Sequence, residues 1–263
     1  MRKRFKKSSS GRLIKILLLI VVILVAALVF VLSRSSLFTI KKIDILAKDI
    51  PCVDENQLKV SSELLGQNFF LVNFENIAKN LKDKFFCIRD INLSYVFPSK
   101  VQLKISARQP AAALVLLKDK EATISSVLEN FATPSAEESL DVYLVDNEGV
   151  IFSKNIGDLA LPNIFVYNSN FSLGKKAGDK AENSLKILDK VKTFGLNVKT
   201  TTVLDNFFII FSYPKLVFRL DNAVETQVAS LQLILAEAKI GLKELEFIDL
   251  RFDKPIVRFA PKK

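Results

Sequence analysis

Residues Ile16 to Leu32, ILLLIVVILVAALVFVL, are 17 consecutive apolar positions. A helix packed on one side of a soluble core keeps a polar stripe, and a half-buried strand alternates; this run does neither. With Leu13, Ile14 and Lys15 it reaches 20 residues, roughly 30 Å as a helix, which matches the hydrocarbon core of a bilayer. Lys15 stands one turn inside the end, within snorkelling reach of headgroups. The pattern predicts a single N-terminal transmembrane helix over 13–32 behind a basic tail, 1–12.

The flanks predict its orientation. Arg2, Lys3, Arg4, Lys6, Lys7, Arg12 and Lys15 occupy the first 15 positions with no acidic residue among them. The positive-inside rule keeps that end in the cytoplasm and exports the chain beyond Arg34. The rival reading is a cleaved signal peptide. It needs a shorter apolar region, about 7–15 residues, and a small-residue cleavage site; VFVLSRSS offers no good match, so an uncleaved anchor in the cytoplasmic membrane is expected.

The net charge of +10 points to nucleic acid only at first sight. Seven of those charges fall within residues 1–15, leaving three for the rest. The basic character is a topology signal and an attraction to anionic lipid, and no nucleic-acid-binding signature accompanies it. Both cysteines, Cys52 and Cys87, fall in the expected exported part, where a disulfide is permitted. Sequence cannot bring their Cα atoms together, and two buried free thiols are an equal reading.

Past residue 36 the chain reads as two α+β domains. In the first, 36–108, Leu37 to Leu46 has strand character. Asp54 with Gln57 three positions on forms a helix start, with Leu58 and Leu65 at helical spacing and Gly66 as the expected left-handed terminator. A second helix follows Asn73, with Phe74, Ile77, Ala78 and Leu81 on one side. Ile91, Leu93, Tyr95 and Phe97, then Val101, Leu103 and Ile105, alternate around Pro98-Ser99-Lys100 as a hairpin. The order is β-α-α-β-β. The second domain, 110–263, is larger and β-rich with two helices. It has an apolar run over Ala111 to Leu117, an irregular segment 118–139, and a hairpin turning at Asp146-Asn147-Glu148-Gly149. A helix capped by Asp179 and ended by Gly195 comes next, then three strands and a helix from about Asn222 to Ile240. Ile248, Leu250 and Phe252 alternate with Asp249, Arg251 and Asp253, which predicts a strand reaching Asp253; a break at Asp253-Lys254-Pro255 precedes a last strand, Ile256 to Ala260.

Catalytic chemistry has little to work with. Histidine is absent, which removes the commonest general base and the Ser-His and Cys-His pairs. Two cysteines 35 positions apart are too few for zinc. No phosphate loop or nucleophile elbow is present. Asp249, Arg251 and Asp253 read as a solvated or paired charge row rather than a catalytic cluster, and Cys87 among aromatics reads as an inert core residue. The expectation is a protein that is not an enzyme and uses no cofactor or metal.

Several strings, in order, carry a family likeness. LFTIKKIDIL, LLGQNFFLVNFENIAKNL and LSYVFPSKVQLKISARQPAA resemble the POTRA domain of the FtsQ/DivIB family of bacterial cell-division proteins. YLVDNEGVIF, LPNIFV and LEFIDLRFDKPIVRF resemble segments of that family's C-terminal β domain. The shared order spans about residues 1–260. Two positions depart from the family pattern. Ala107 stands where the family has Glu and Gln109 precedes Pro110, which puts in doubt the ion pair at the POTRA exit. The resemblance implies a divisome scaffold at the septum. It would bind FtsB/DivIC-like and FtsL-like bitopic proteins and so link the membrane division complex to the septal peptidoglycan synthase complex. It places the FtsB-like partner on Arg251 and Phe252, and more loosely on Ile256, Val257 and Phe259. The alternatives are a POTRA-containing export or envelope-assembly factor, which needs a long run of barrel strands, and a membrane-tethered envelope hydrolase, against which the missing histidine and the missing metal motifs argue.

Overall fold

The structure, a computed structural model, describes residues 10–34, 36–47, 52–117, 127, 139–154, 160–167, 169–221, 223–240 and 244–260. It divides into two units, Met1–Ala107 and Arg108–Lys263. The first begins with helix α1, Ser10–Arg34, 25 residues long. Among the described residues no helix is long and apolar enough to cross a membrane, and the expected transmembrane helix over 13–32 is corrected on that finding. Of the orienting residues, Arg2, Lys3, Arg4, Lys6, Lys7 and the Arg12 side chain lie outside the described residues, and Lys15 is exposed on α1.

The rest of this unit is a three-stranded sheet with two helices. Strands β1 (Lys42–Ala47), β2 (Ile88–Val96) and β3 (Lys100–Ala107) lie in the order β1-β3-β2. The hairpin pairs β2 with β3 antiparallel, Ile91 opposite Ile105 and Leu93 opposite Leu103. β1 runs parallel to β3, which a tight turn cannot achieve, so helices α2 (Glu55–Ser62) and α3 (Phe74–Lys84) make the crossover. Leu58, Leu81, Ile88, Val101 and Leu103 are buried.

The helix ends follow local chemistry. The Asp54 carboxylate accepts the Gln57 N–H at 2.7 Å, and Asn73 accepts from Asn76 at 3.1 Å, satisfying donors that the first turn leaves over. α2 is shorter than expected. It ends at Ser62 with Glu63 in the left-handed conformation, φ 51°, and Gly66, φ 81°, lies beyond it in a turn. There the Gly66 N–H donates to the Ile40 carbonyl at 2.9 Å, which ties the helix exit to the lead-in of β1.

Cys52 and Cys87 form a disulfide with their Cα atoms 6.3 Å apart. The free-thiol reading of both is thereby corrected, and Cys87 has no thiol to act as a nucleophile. The bridge joins the entry to α2 to the residue preceding β2.

Two surface carboxylates of this unit respond to acid. A hydrogen bond from Lys42 (ion pair 3.2 Å), with Lys100 adding charge at 3.5 Å, holds Asp44 below its ordinary pKa. A hydrogen bond from Lys82 at 3.1 Å does the same for Asp90. A carboxylate with a lowered folded-state pKa stabilises above its unfolded value, and that contribution vanishes as pH falls through the folded one. The melting temperature of unit 1 is therefore expected to fall below about pH 4, less steeply in Asp44→Asn/Asp90→Asn. The difference is expected to shrink at high salt because both groups are exposed.

The second unit is a nine-stranded sheet. Its strands are β4 (Pro110–Leu117), β5 (Ser139–Asp146), β6 (Ile151–Lys154), β7 (Asn163–Tyr167), β8 (Thr200–Leu204), β9 (Phe207–Ile210), β10 (Lys215–Arg219), β11 (Leu245–Asp249) and β12 (Ile256–Phe259). The order across the sheet is β12-β11-β10-β9-β8-β7-β4-β5-β6. β4 lies between β7 and β5 and is covered on both faces, so its sequence runs apolar without alternation. Helix α4 (Asp179–Thr193) carries the chain from β7 to parallel β8, and helix α5 (Val224–Ile240) from β10 to parallel β11. Both pack on one sheet face, where Leu188, Val191, Val228 and Leu231 meet Ile164, Phe208, Phe218 and Ile248.

Several local expectations need correction. Asp179 is the first residue of α4 and not its cap; Gly178 precedes it at φ 92°, with no side-chain bond. α5 begins at Val224. Nearly all of the irregular segment 118–139 lies outside the described residues.

Arg108, where the second unit starts, is answered from the β5–β6 turn. Its guanidinium donates to the buried Asp146 carboxylate and reaches Glu148 at 3.4 Å. Asp146 also accepts the Glu148 and Val150 N–H groups, each at 2.9 Å. Ala107 thus leaves Arg108 with acidic partners drawn from its own unit. Gly149 closes this turn at φ 79°, and a Cβ there would lie 2.6 Å from the Glu182 Cγ.

Candidate partner-binding edge

β12 is the outermost strand at one side of the sheet and, among the described residues, pairs with β11 alone. The pairing is antiparallel, Asp249 opposite Ile256, Ile248 opposite Val257 and Phe247 opposite Arg258, with a register shift between Leu245 and Phe247. Val257 shares the helix-covered face with Ile248 and packs against the core. Ile256 and Phe259 remain 55% and 46% exposed. The outer side of β12 thus offers a strand edge flanked by large apolar side chains, the arrangement a second chain can extend.

The turn before β12 departs from the expected alternation. β11 stops at Asp249 instead of reaching Asp253, and Leu250, buried, donates its N–H to the Val217 carbonyl at 2.8 Å. Asp249 is 3% exposed, so of the solvated and paired readings of the charge row it takes the paired one, with Arg251. Its carboxylate accepts the Arg251 N–H at 3.1 Å, and Arg251 Nε and Nη2 at 2.9 and 2.6 Å. This two-pronged pair satisfies the buried charge and folds the chain back. The guanidinium also lies 5.4 Å from the Phe207 ring centroid and 5.3 Å from that of Phe252. Arg251 therefore acts from within: it is largely buried, and it holds Phe252, 53% exposed, over the surface beside β12.

A cleft of about 250 Å³ adjoins Phe252. Thr226, Gln227 and Ser230 of α5 form one wall, and Leu250, Phe252 and Pro255 of the turn the other. Gln227 is fixed in place, because its side chain accepts from the Arg219 N–H at 2.8 Å and donates to the Arg219 carbonyl at 2.7 Å. Arg258 is guarded by Glu246 at 3.1 Å and stacks near Phe247.

Of the residues singled out in sequence, the structure brings Arg251 and Phe252 together and places Ile256, Val257 and Phe259 on the adjoining edge strand. The cleft wall on α5 was missed, since nothing local in the helix points to a turn more than twenty residues away. Among the described residues no group of three or more potential metal ligands occurs. A larger cleft, about 450 Å³, opens where β7 and β8 end beside the start of α4. No family model matches the chain, and no curated protein matches it.

Proposed function

We propose that the chain is a protein-binding scaffold of bacterial cell division and not an enzyme, with the β12 edge receiving a strand from an FtsB/DivIC-like partner. The observation that carries this reading is the outer edge of β12 with exposed Phe252 and Ile256 beside it. Main-chain bonds to the edge would supply affinity, and the apolar side chains together with the cleft against α5 would supply register. The resemblance of the chain's ordered strings to the FtsQ/DivIB family supports the choice of partner and the septal location. The disulfide agrees with a place outside the reducing cytoplasm. Through an FtsL-like second partner the scaffold would reach the peptidoglycan synthase complex.

The test is capture of an FtsB/DivIC-like protein by the full chain. Phe252→Asp is expected to weaken capture at least about thirtyfold, the loss of one central aromatic anchor worth ~2 kcal/mol, with an unchanged circular dichroism spectrum. Wild-type capture by that variant would remove the interface from this edge. A fluorescent fusion spread evenly around dividing cells would remove the septal role.

A further inference from the structure

Three segments converge at the end of unit 1 where β1 begins. Thr39 bridges Asn68, and the Lys41 N–H donates to the Ser99 carbonyl at 2.8 Å. The lead-in to β1, the 68–71 turn and the β2–β3 turn thus share one surface. Its platform is aromatic: Phe69 stacks on Tyr95 at 4.0 Å between ring centroids, and Phe38 meets Phe70 edge-on at 5.0 Å. Past this platform project Leu71 and Phe97, 74% and 73% exposed, with Leu37 and Phe70 also more than half exposed. Single exposed apolar side chains are ordinary, but a contiguous group on an aromatic base marks a surface that is covered in use.

Two further observations say by what. The patch starts only three residues after α1, whose described side chains from Ile14 to Val25 are apolar and exposed apart from Lys15. A helix apolar on every side has no water-facing stripe of its own. The rim is basic: Lys41 is exposed, and Lys42 and Lys100 flank the single carboxylate of Asp44. Apolar tips ringed by lysines fit the headgroup layer of an anionic bilayer, the tips entering the acyl boundary and the ammonium groups meeting phosphates.

We infer that this face of unit 1 rests on the surface of an anionic lipid bilayer, with Phe70, Leu71 and Phe97 entering the interface. The contact needs no helix to cross the membrane and is independent of the partner edge in unit 2. It gives unit 1 a fixed orientation on a membrane surface.

The chain lacks tryptophan, so one indole can report the contact without background. Phe97→Trp puts it in the patch. Val60→Trp puts it on α2 beside Lys84, whose ammonium meets Ser61 at 2.8 Å. Lys84 lies four residues before β2, which runs nine residues, about 30 Å, from there to the patch. Each full-length variant is reconstituted into vesicles of two parts phosphatidylcholine to one part phosphatidylglycerol, with and without brominated acyl chains. Phe97→Trp is expected to lose about half its emission to the brominated lipid, and Val60→Trp to lose none. Adding Phe70→Asp and Leu71→Asp to Phe97→Trp is expected to abolish the quenching; if Phe97→Trp folds poorly, Leu71→Trp reports the same face. Unquenched emission from the patch, or equal quenching at both positions, overturns the proposal. So does an emission shift that follows protein concentration without lipid, which would assign the face to a second copy of the chain.

Discussion

Asp146→Ala is expected to destabilise unit 2 by about 3–5 kcal/mol, the cost of breaking a buried ion pair from one side. Asp146 has two tasks. It answers the largely buried Arg108, and it accepts two backbone N–H groups in the turn between β5 and β6. Alanine removes the buried acid of the pair, while Glu148, the more exposed partner, stays at 3.4 Å, and it leaves both turn amides without the carboxylate. Asp146→Asn separates the tasks, since the amide oxygen still accepts the two N–H bonds while the charge is gone. It is expected to recover about 1–2 kcal/mol of the loss. Urea titration of the full chain, followed by a probe in unit 2, measures both. A cost below about 1 kcal/mol for alanine would make the pair an incidental surface contact.

The double substitution Cys52→Ala/Cys87→Ala is expected to cost unit 1 about 3–4 kcal/mol and unit 2 nothing. The bridge closes a loop with a sequence separation of 35, and cross-linking removes chain entropy from the unfolded state in proportion to the logarithm of loop length. Alanine is chosen at Cys87 because that side chain is buried, where a serine hydroxyl would add an unrelated desolvation cost. Differential scanning calorimetry should show one transition moving and the other staying. Thiol titration of the untreated chain should find no free thiol, and about two per chain after unfolding and reduction. Two reactive thiols before reduction would remove the bridge, and with it the argument for an oxidising compartment.

Features readable from sequence were mostly local. The alternation of Ile91, Leu93 and Tyr95 against Val101, Leu103 and Ile105 foretells a hairpin because a period of two is set by the pleat of each strand. Asp54 and Asn73 foretell helix starts because a capping bond spans only three residues. The same local reasoning failed where the chain is answered from afar. Asp249 is paired with Arg251 two positions on, as one of the two local readings had it, but that its carboxylate is buried depends on the distant segments packed around β11. α2 stops at Glu63 instead of Gly66 because the Gly66 N–H is engaged by Ile40. The 17 apolar residues read as a full crossing, whereas among the described residues no helix is long and apolar enough to make one.

By itself, the sequence determined most strands and helices, the hairpin faces, the helix starts at Asp54 and Asn73 and the lack of histidine chemistry, all properties carried by residues within a few positions of one another. Only the tertiary structure decided which strand became the edge, that Cys52 meets Cys87, that Arg108 meets Asp146, and that Arg251 turns inward to prop Phe252. Those outcomes depend on which distant segments compete for the same hydrogen bonds and the same buried volume, and no short-range pattern encodes that competition.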